Sequence, residues 1–200
     1  MQLSNEYIFK DDFMQCKELE FGTEKNKITI TLLDEMMEQR LGGMVSSPLF
    51  MENIAIVVAD SQDDNDFSYA CLGCEKNGIA PRIAITEDLW RELKEETPVA
   101  KTTIMHEIGH YLNHDVGNNE DNSDERRFNL VRQNIVCQKE IKADLFAVQY
   151  LGKETVIAGL QELKQRTLVD FADCDEESVQ LSVKEIEIRI SLIKKYRNLA

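Results

Sequence analysis

The feature that most constrains this chain is His106-Glu107-Ile108-Gly109-His110. On an α-helix, residues four apart stand one above the other on one face, so His106 and His110 can grip a single ion. Two imidazoles at that spacing make half of a zinc site. Glu107 is turned by about 100° from His106, poorly set to be a third ligand but within reach of a water beside the ion, which is where a general base belongs.

The flanking residues predict the helix that the motif needs. Thr97 can cap it, Pro98 suits a first helical position that has no use for an N–H, and Ile104, Ile108 and Leu112 recur every four residues. The histidines then face away from that apolar stripe. Gly109 costs about 1 kcal/mol relative to Ala inside a helix, which implies that another part of the chain comes close between the two histidines. The third histidine, His114, lies about 12 Å along a continuous helix from His106, too far to share an ion at about 2 Å per bond. Its expected role is favourable charge or hydrogen bonding at the helix C-terminus. The spacing also differs from the metzincin pattern HExxHxxGxxH, so a third ligand has to come from elsewhere.

A chain of 200 residues buries about 70% of its unfolded surface and needs no disulfide or structural metal to fold. A single domain over residues 1–200 is expected, with residues 1–50 as an N-terminal elaboration. Lys plus Arg total 23 against 37 for Asp plus Glu, a net charge of −14 that repels nucleic acid and anionic membrane. The first twenty residues have neither a basic nor an apolar leader region, and the longest apolar run, residues 54–59, is far short of a membrane span. The expectation is a soluble, cytoplasmic protein. Five cysteines without an export signal fit reduced thiols. Cys71 and Cys74 form a CxxC, but the residues around it read as strand and turn rather than as a redox or zinc site.

Along the chain, a short helix is expected over residues 11–19, a strand over 27–33, and a second short helix over 34–41 stopped by Gly42-Gly43. Strands follow over 53–59, 67–74 and 79–86, with a solvated loop at 60–67, and then a helix capped by Thr86. Pro81 marks the strand at 79–86 as an edge, open to an extended peptide. Beyond the histidine helix come a polar loop at 115–125, one long helix or two in line over 126–151 ending at Gly152, and helices over 153–166 and 177–197. In the last of these Val183, Ile186, Ile190 and Ile193 fit one helical face.

Residues 140–147 read EIKADLFA, which puts Glu140, Ala143, Asp144 and Ala147 on one helical face. Two readings stand at this point. Glu140 completes a His2Glu site with an open position for water, while Asp144 orients a ligand histidine through its second ring nitrogen, the two alanines allowing close helix contact. Alternatively both carboxylates are solvated.

Together, HEIGH and the downstream EIKAD resemble the gluzincin metallopeptidases, in which an HExxH helix is followed by a ligand Glu in an ExxAD context. FAVQYLGKETVIAGLQEL is similar to the helical stretch after that motif in the family of the heat-shock membrane protease and the prenyl-protein protease, including its small soluble relatives. HEIGHYLNH also resembles the soluble ImmA/IrrE-type peptidases. The likeness covers about residues 97–163. It implies one Zn2+ per chain on His106, His110 and Glu140, with Glu107 as base and Asp144 behind a ligand. The oxyanion-stabilising residue is unplaced, with Tyr150 one candidate.

The resulting expectation is an α+β, zincin-like fold in which a small mixed sheet packs on the HExxH helix and further helices follow. The expected activity is zinc-dependent endopeptidase cleavage of a protein or peptide substrate, which would lie along the strand at 79–86. The competing function is a non-catalytic module using its metal for structure or regulation. An intact Glu107 argues against that, because a structural site needs no base.

Overall fold

Isoleucine and threonine alternate over residues 28–32, the pattern of a strand with one face for the core. In the computed structural model, which describes residues 16–37, 40–50, 53–59, 69–71, 82–113, 124–170 and 175–196, this becomes β2 (Ile28–Leu33), with Ile28, Ile30 and Leu32 fully buried. Strand β2 pairs antiparallel with both β1 (Cys16–Phe21) and β3 (Leu41–Ser46), and β3 with β4 (Ile54–Val58). The last two strands are β5 (Tyr69–Cys71) and β6 (Arg82–Ile85). Strand β6 inserts between β4, to which it is parallel, and β5, to which it is antiparallel. The sheet is therefore mixed and six-stranded, in the order β1-β2-β3-β4-β6-β5. With the helices that follow, the chain is of the α+β class.

Three sequence expectations change. Cys16 to Leu19 were expected in a helix, yet they belong to β1, where Leu19 opposes Ile30 and is buried; residues 11–15 lie outside the described residues. Pairing with β2 overrides the weak helical spacing of Phe13, Met14 and Cys16. Gly42-Gly43 does not stop a helix but lies inside β3. The Trp90 indole donates to the Gly42 carbonyl at 2.9 Å, and a Cβ on Gly42 would stand 2.7 Å from Val58 Cγ2 and 2.9 Å from Trp90 Nε1. Only glycine permits that approach. Finally, the strand at 79–86 is no edge, since Ala84 opposes Val57 on one side and Tyr69 on the other. Its paired residues begin at Arg82, after the proline, and both sets of backbone groups are used within the sheet. A substrate strand therefore cannot add to β6.

The helices are α1 (Glu87–Lys94), α2 (Pro98–Leu112), α3 (Asp124–Arg132), α4 (Gln138–Leu151), α5 (Lys153–Asp170) and α6 (Glu176–Lys195). Thr86 and Thr97 cap α1 and α2 as expected, accepting from the N–H groups of Leu89 at 3.2 Å and Ala100 at 3.3 Å. Residues 126–151 form two helices. Asn134, in the left-handed region at φ 59°, ends the first as its N–H and that of Ile135 turn back to Val131 and Leu130. Helix α2 is central. Its Ile104, Met105 and Ile108 join the sheet in the hydrophobic core, while α4 and α5 cover its other sides. The histidine face thus points away from the sheet, as expected, and packs toward α4, with His110 left partly exposed.

Candidate metal centre

Helix α4 crosses α2 at Gly109. A Cβ there would lie 3.0 Å from Ala143 Cα, 3.1 Å from Phe146 Cβ and 3.2 Å from the Ala143 carbonyl oxygen. The glycine between the histidines and the fully buried Ala143 and Ala147 let the helices meet almost backbone to backbone. That contact carries Glu140 and Asp144 to the histidine face.

The side chains of His106, His110 and Glu140 converge. His106 Nε2 lies 3.0 Å from His110 Nε2 and 3.2 Å from Glu140 Oε2, and His110 Nε2 lies 3.5 Å from Glu140 Oε1. Bonds of about 2.0–2.1 Å in a tetrahedral site put ligand atoms about 3.3–3.4 Å apart. The two contacts to Glu140 end on different carboxylate oxygens, and with one atom taken from each residue all three lie within 4.8 Å of one another, so a small side-chain adjustment would bring them onto one ion. Among the described residues this is the one group of three acidic, histidine or cysteine side chains gathered closely enough to hold a metal ion.

The donor set also calls for a cation. Asp144, fully buried, accepts the Nδ1–H of His106 at 2.8 Å, so in the neutral ring Nε2 presents a lone pair toward the Glu140 carboxylate. Two acceptors that close repel unless a proton or a metal lies between them. Protonation of His106 is one way to relieve the repulsion. Burial, the largest influence, and the Arg189 charge both disfavour the imidazolium, but hydrogen bonds to Asp144 and Glu140 outweigh them and push the His106 pKa up to about 10. Burial likewise works against ionisation of Glu140, yet its hydrogen bonds with His106 and His110 hold it well below the usual carboxylate range. Asp144 is held at about 2 against its burial, first by the charge of Arg189 and then by hydrogen bonds from Arg189 and His106.

One residue of the site, Arg189, is missing from the sequence reading. This arginine of α6 forks onto Asp144, Nε to Oδ2 at 2.8 Å and Nη2 to Oδ1 at 2.6 Å, and its Nη1 is 3.7 Å from Glu140 Oε2. It is 7% exposed, and the two carboxylates, Asp144 foremost, raise its pKa despite burial. A usable signal was present, since Arg189 falls on the stripe of Ile186, Ile190 and Ile193, where an arginine needs a buried acid.

Glu107 lies half-buried on α2, between His106 and His110 in sequence. Tyr150 lies elsewhere: it is ten residues beyond Glu140 on α4, about 15 Å along the axis. Its ring packs on Phe146 and over Gly22, and burial raises its pKa. It is not a group for this centre. His114 and Cys74 lie outside the described residues, and Cys71 sits in β5. No helix among the described residues is long and apolar enough to cross a membrane. Comparison of the chain with protein-family models, with curated protein sequences and with solved structures finds no match in any of the three.

Proposed function

We propose that this chain is a zinc-dependent endopeptidase of the gluzincin kind, with a zincin-like active-site arrangement and a protein or peptide substrate. The observation that carries this reading is the convergence of His106, His110 and Glu140 through contacts of 3.0–3.5 Å, with Glu107 on the same helix as the two histidines. Two neutral imidazoles and one carboxylate suit zinc, and leave one tetrahedral position for water or substrate. A structural site would usually close that position with a fourth side chain, and among the described residues the group has three members.

Zinc bound there supplies Lewis acidity, bringing the pKa of a water to about 7 and polarising a carbonyl oxygen. The protein does the rest. Asp144 fixes His106 with its Nδ1 protonated, so that Nε2 is the ligating atom. The Glu107 carboxylate accepts a proton from the attacking water and hands it to the amide nitrogen as the C–N bond breaks. Water adds to the acyl carbon directly, so no acyl-enzyme forms.

The test is Glu107→Gln, assayed beside wild type on a mixture of denatured proteins with zinc content measured on both. Expected are equal zinc and a cleavage rate at least about 10²-fold lower, as for loss of a general base. A zinc-loaded wild type that cuts nothing, or a variant that cuts equally well, would favour the non-catalytic metal module.

A further inference from the structure

Behind the metal centre lies a second buried acid that the proposed chemistry does not use. Glu185 of α6 is fully buried; its Oε2 accepts from Arg127 Nε at 2.6 Å, and its Oε1 has no hydrogen-bond partner. It stands one turn before Arg189 on the same helical face, and its charge acts on that arginine. Arg189 is therefore placed between two claims, with Asp144 and Glu140 on one side and Glu185 on the other. Arg127 arrives from α3, a short helix whose Val131 is buried and whose Arg132 pairs with Glu177 of α6 at the surface.

We infer that Arg127 is a positioning residue for the metal site: by satisfying Glu185 it leaves Arg189 wholly engaged with Asp144, which couples the docking of α3 to metal retention. The signs alternate along a line of charges from Arg127 to Glu185 to Arg189 to Asp144 to His106, each step a direct contact except that from Glu185 to Arg189, which acts through charge across one helical turn. Glu185 is too deeply buried to be solvated, so without Arg127 its carboxylate turns to Arg189, the cation one helical turn on whose charge it already feels. Drawn toward Glu185, the guanidinium loosens its fork on Asp144, and Asp144 then orients His106 less firmly. Arg127 itself is 44% exposed in its side chain and can return to water when its partner is lost. The coupling thus runs from α3 to the metal through charge. This inference rests on the reading of His106, His110 and Glu140 as a zinc site.

The experiment measures zinc affinity by chelator competition in the full chain for wild type, Arg127→Met, Arg132→Met, Glu185→Gln and the double variant Arg127→Met/Glu185→Gln. The imidazole N–H of His106 is followed by NMR in each zinc-loaded protein. Expected are a loss of about tenfold in Arg127→Met, the scale for partners standing behind a ligand, with a weakened Nδ1–H hydrogen-bond signature. Arg132→Met, which breaks the other α3–α6 ion pair, should match wild type. Glu185→Gln and the double variant should also match it, because the competing charge is gone. Unchanged affinity in Arg127→Met, an equal loss in Arg132→Met, or a tenfold loss in Glu185→Gln or the double variant would each overturn the inference while leaving the metal reading intact. A wild type that binds no zinc overturns both.

Discussion

Asp144 accepts the Nδ1–H of His106 at 2.8 Å from a position with no solvent exposure, although the two residues are 38 apart in sequence. The pair sets which ring nitrogen faces His110 and Glu140, and its charge is balanced by the Arg189 fork rather than by water.

Asp144→Asn should therefore damage both the site and the fold. It keeps the shape but removes the charge, leaving Arg189 buried with only Glu140, at 3.7 Å, and the more distant charge of Glu185 to balance it. Breaking a buried pair from one side costs about 3–5 kcal/mol, and losing the partner behind a ligand costs about 10–100-fold in metal affinity. Urea unfolding of the metal-free protein and chelator competition measure the two effects. A variant as stable as wild type would mean that Arg189 gains nothing from this contact.

Metal content separates the ligands from their neighbours. Purified His106→Ala, His110→Ala and Glu140→Ala should each lose the one zinc per chain, and His114→Ala should retain it. Full zinc in Glu140→Ala would move the third ligand elsewhere. Asp144 is a poor substitute, because both its oxygens are already taken by His106 and Arg189.

The sequence reveals those parts of the site that depend on spacing within one helix. His106, Glu107 and His110 are set by a single turn of α2, and Glu140, Ala143, Asp144 and Ala147 by two turns of α4, so helical periodicity alone puts each set on one face. Gly109 even announces where the helices cross. What escapes is pairing between distant segments. Arg189 reaches Asp144 across 45 residues, and no local pattern couples them. The sheet order fails for the same reason, since nothing within residues 79–86 says that β6 enters between β4 and β5. A proline ahead of a strand is compatible with an edge or an interior position, and the register decided for the interior.

Gly109→Ala sets propensity against packing. Alanine gains about 1 kcal/mol in a helix interior. Its Cβ, however, would sit 3.0–3.2 Å from two backbone atoms of Ala143 and from Phe146 Cβ, contacts that no side-chain rotation relieves. Overpacking of that kind costs about 1–3 kcal/mol, so net destabilisation of about 1 kcal/mol is expected. Because α4 has to give way and carries Glu140 with it, zinc affinity should fall as well. A urea midpoint raised by the full propensity gain would show that the close crossing is not what seats α4.

The last prediction concerns the proton that His106 holds when no metal is bound. Its pKa is about 10 in the folded chain against an ordinary value of 6.5. Between those values the folded protein binds more protons than the unfolded one, so stability falls as pH rises. The contribution from His106 is complete below about pH 6.5 and is lost as pH climbs through about 10. Asp144 runs the other way: with its pKa lowered from 3.8 to about 2, its contribution is complete above 3.8 and is lost as pH falls through about 2. Metal-free protein should therefore be most stable between about pH 4 and 6.5, and its urea midpoint should decline steadily above that range. If zinc binds as proposed it would take the place of the His106 proton, so zinc-loaded protein should not show the alkaline decline. Binding at pH 8 should also release about one proton from this residue. Calorimetric titrations of zinc in two buffers of different ionisation enthalpy count that proton. A count of zero at pH 8 would mean that His106 is already neutral in the metal-free site and that another group supplies the cation between Nε2 and Glu140.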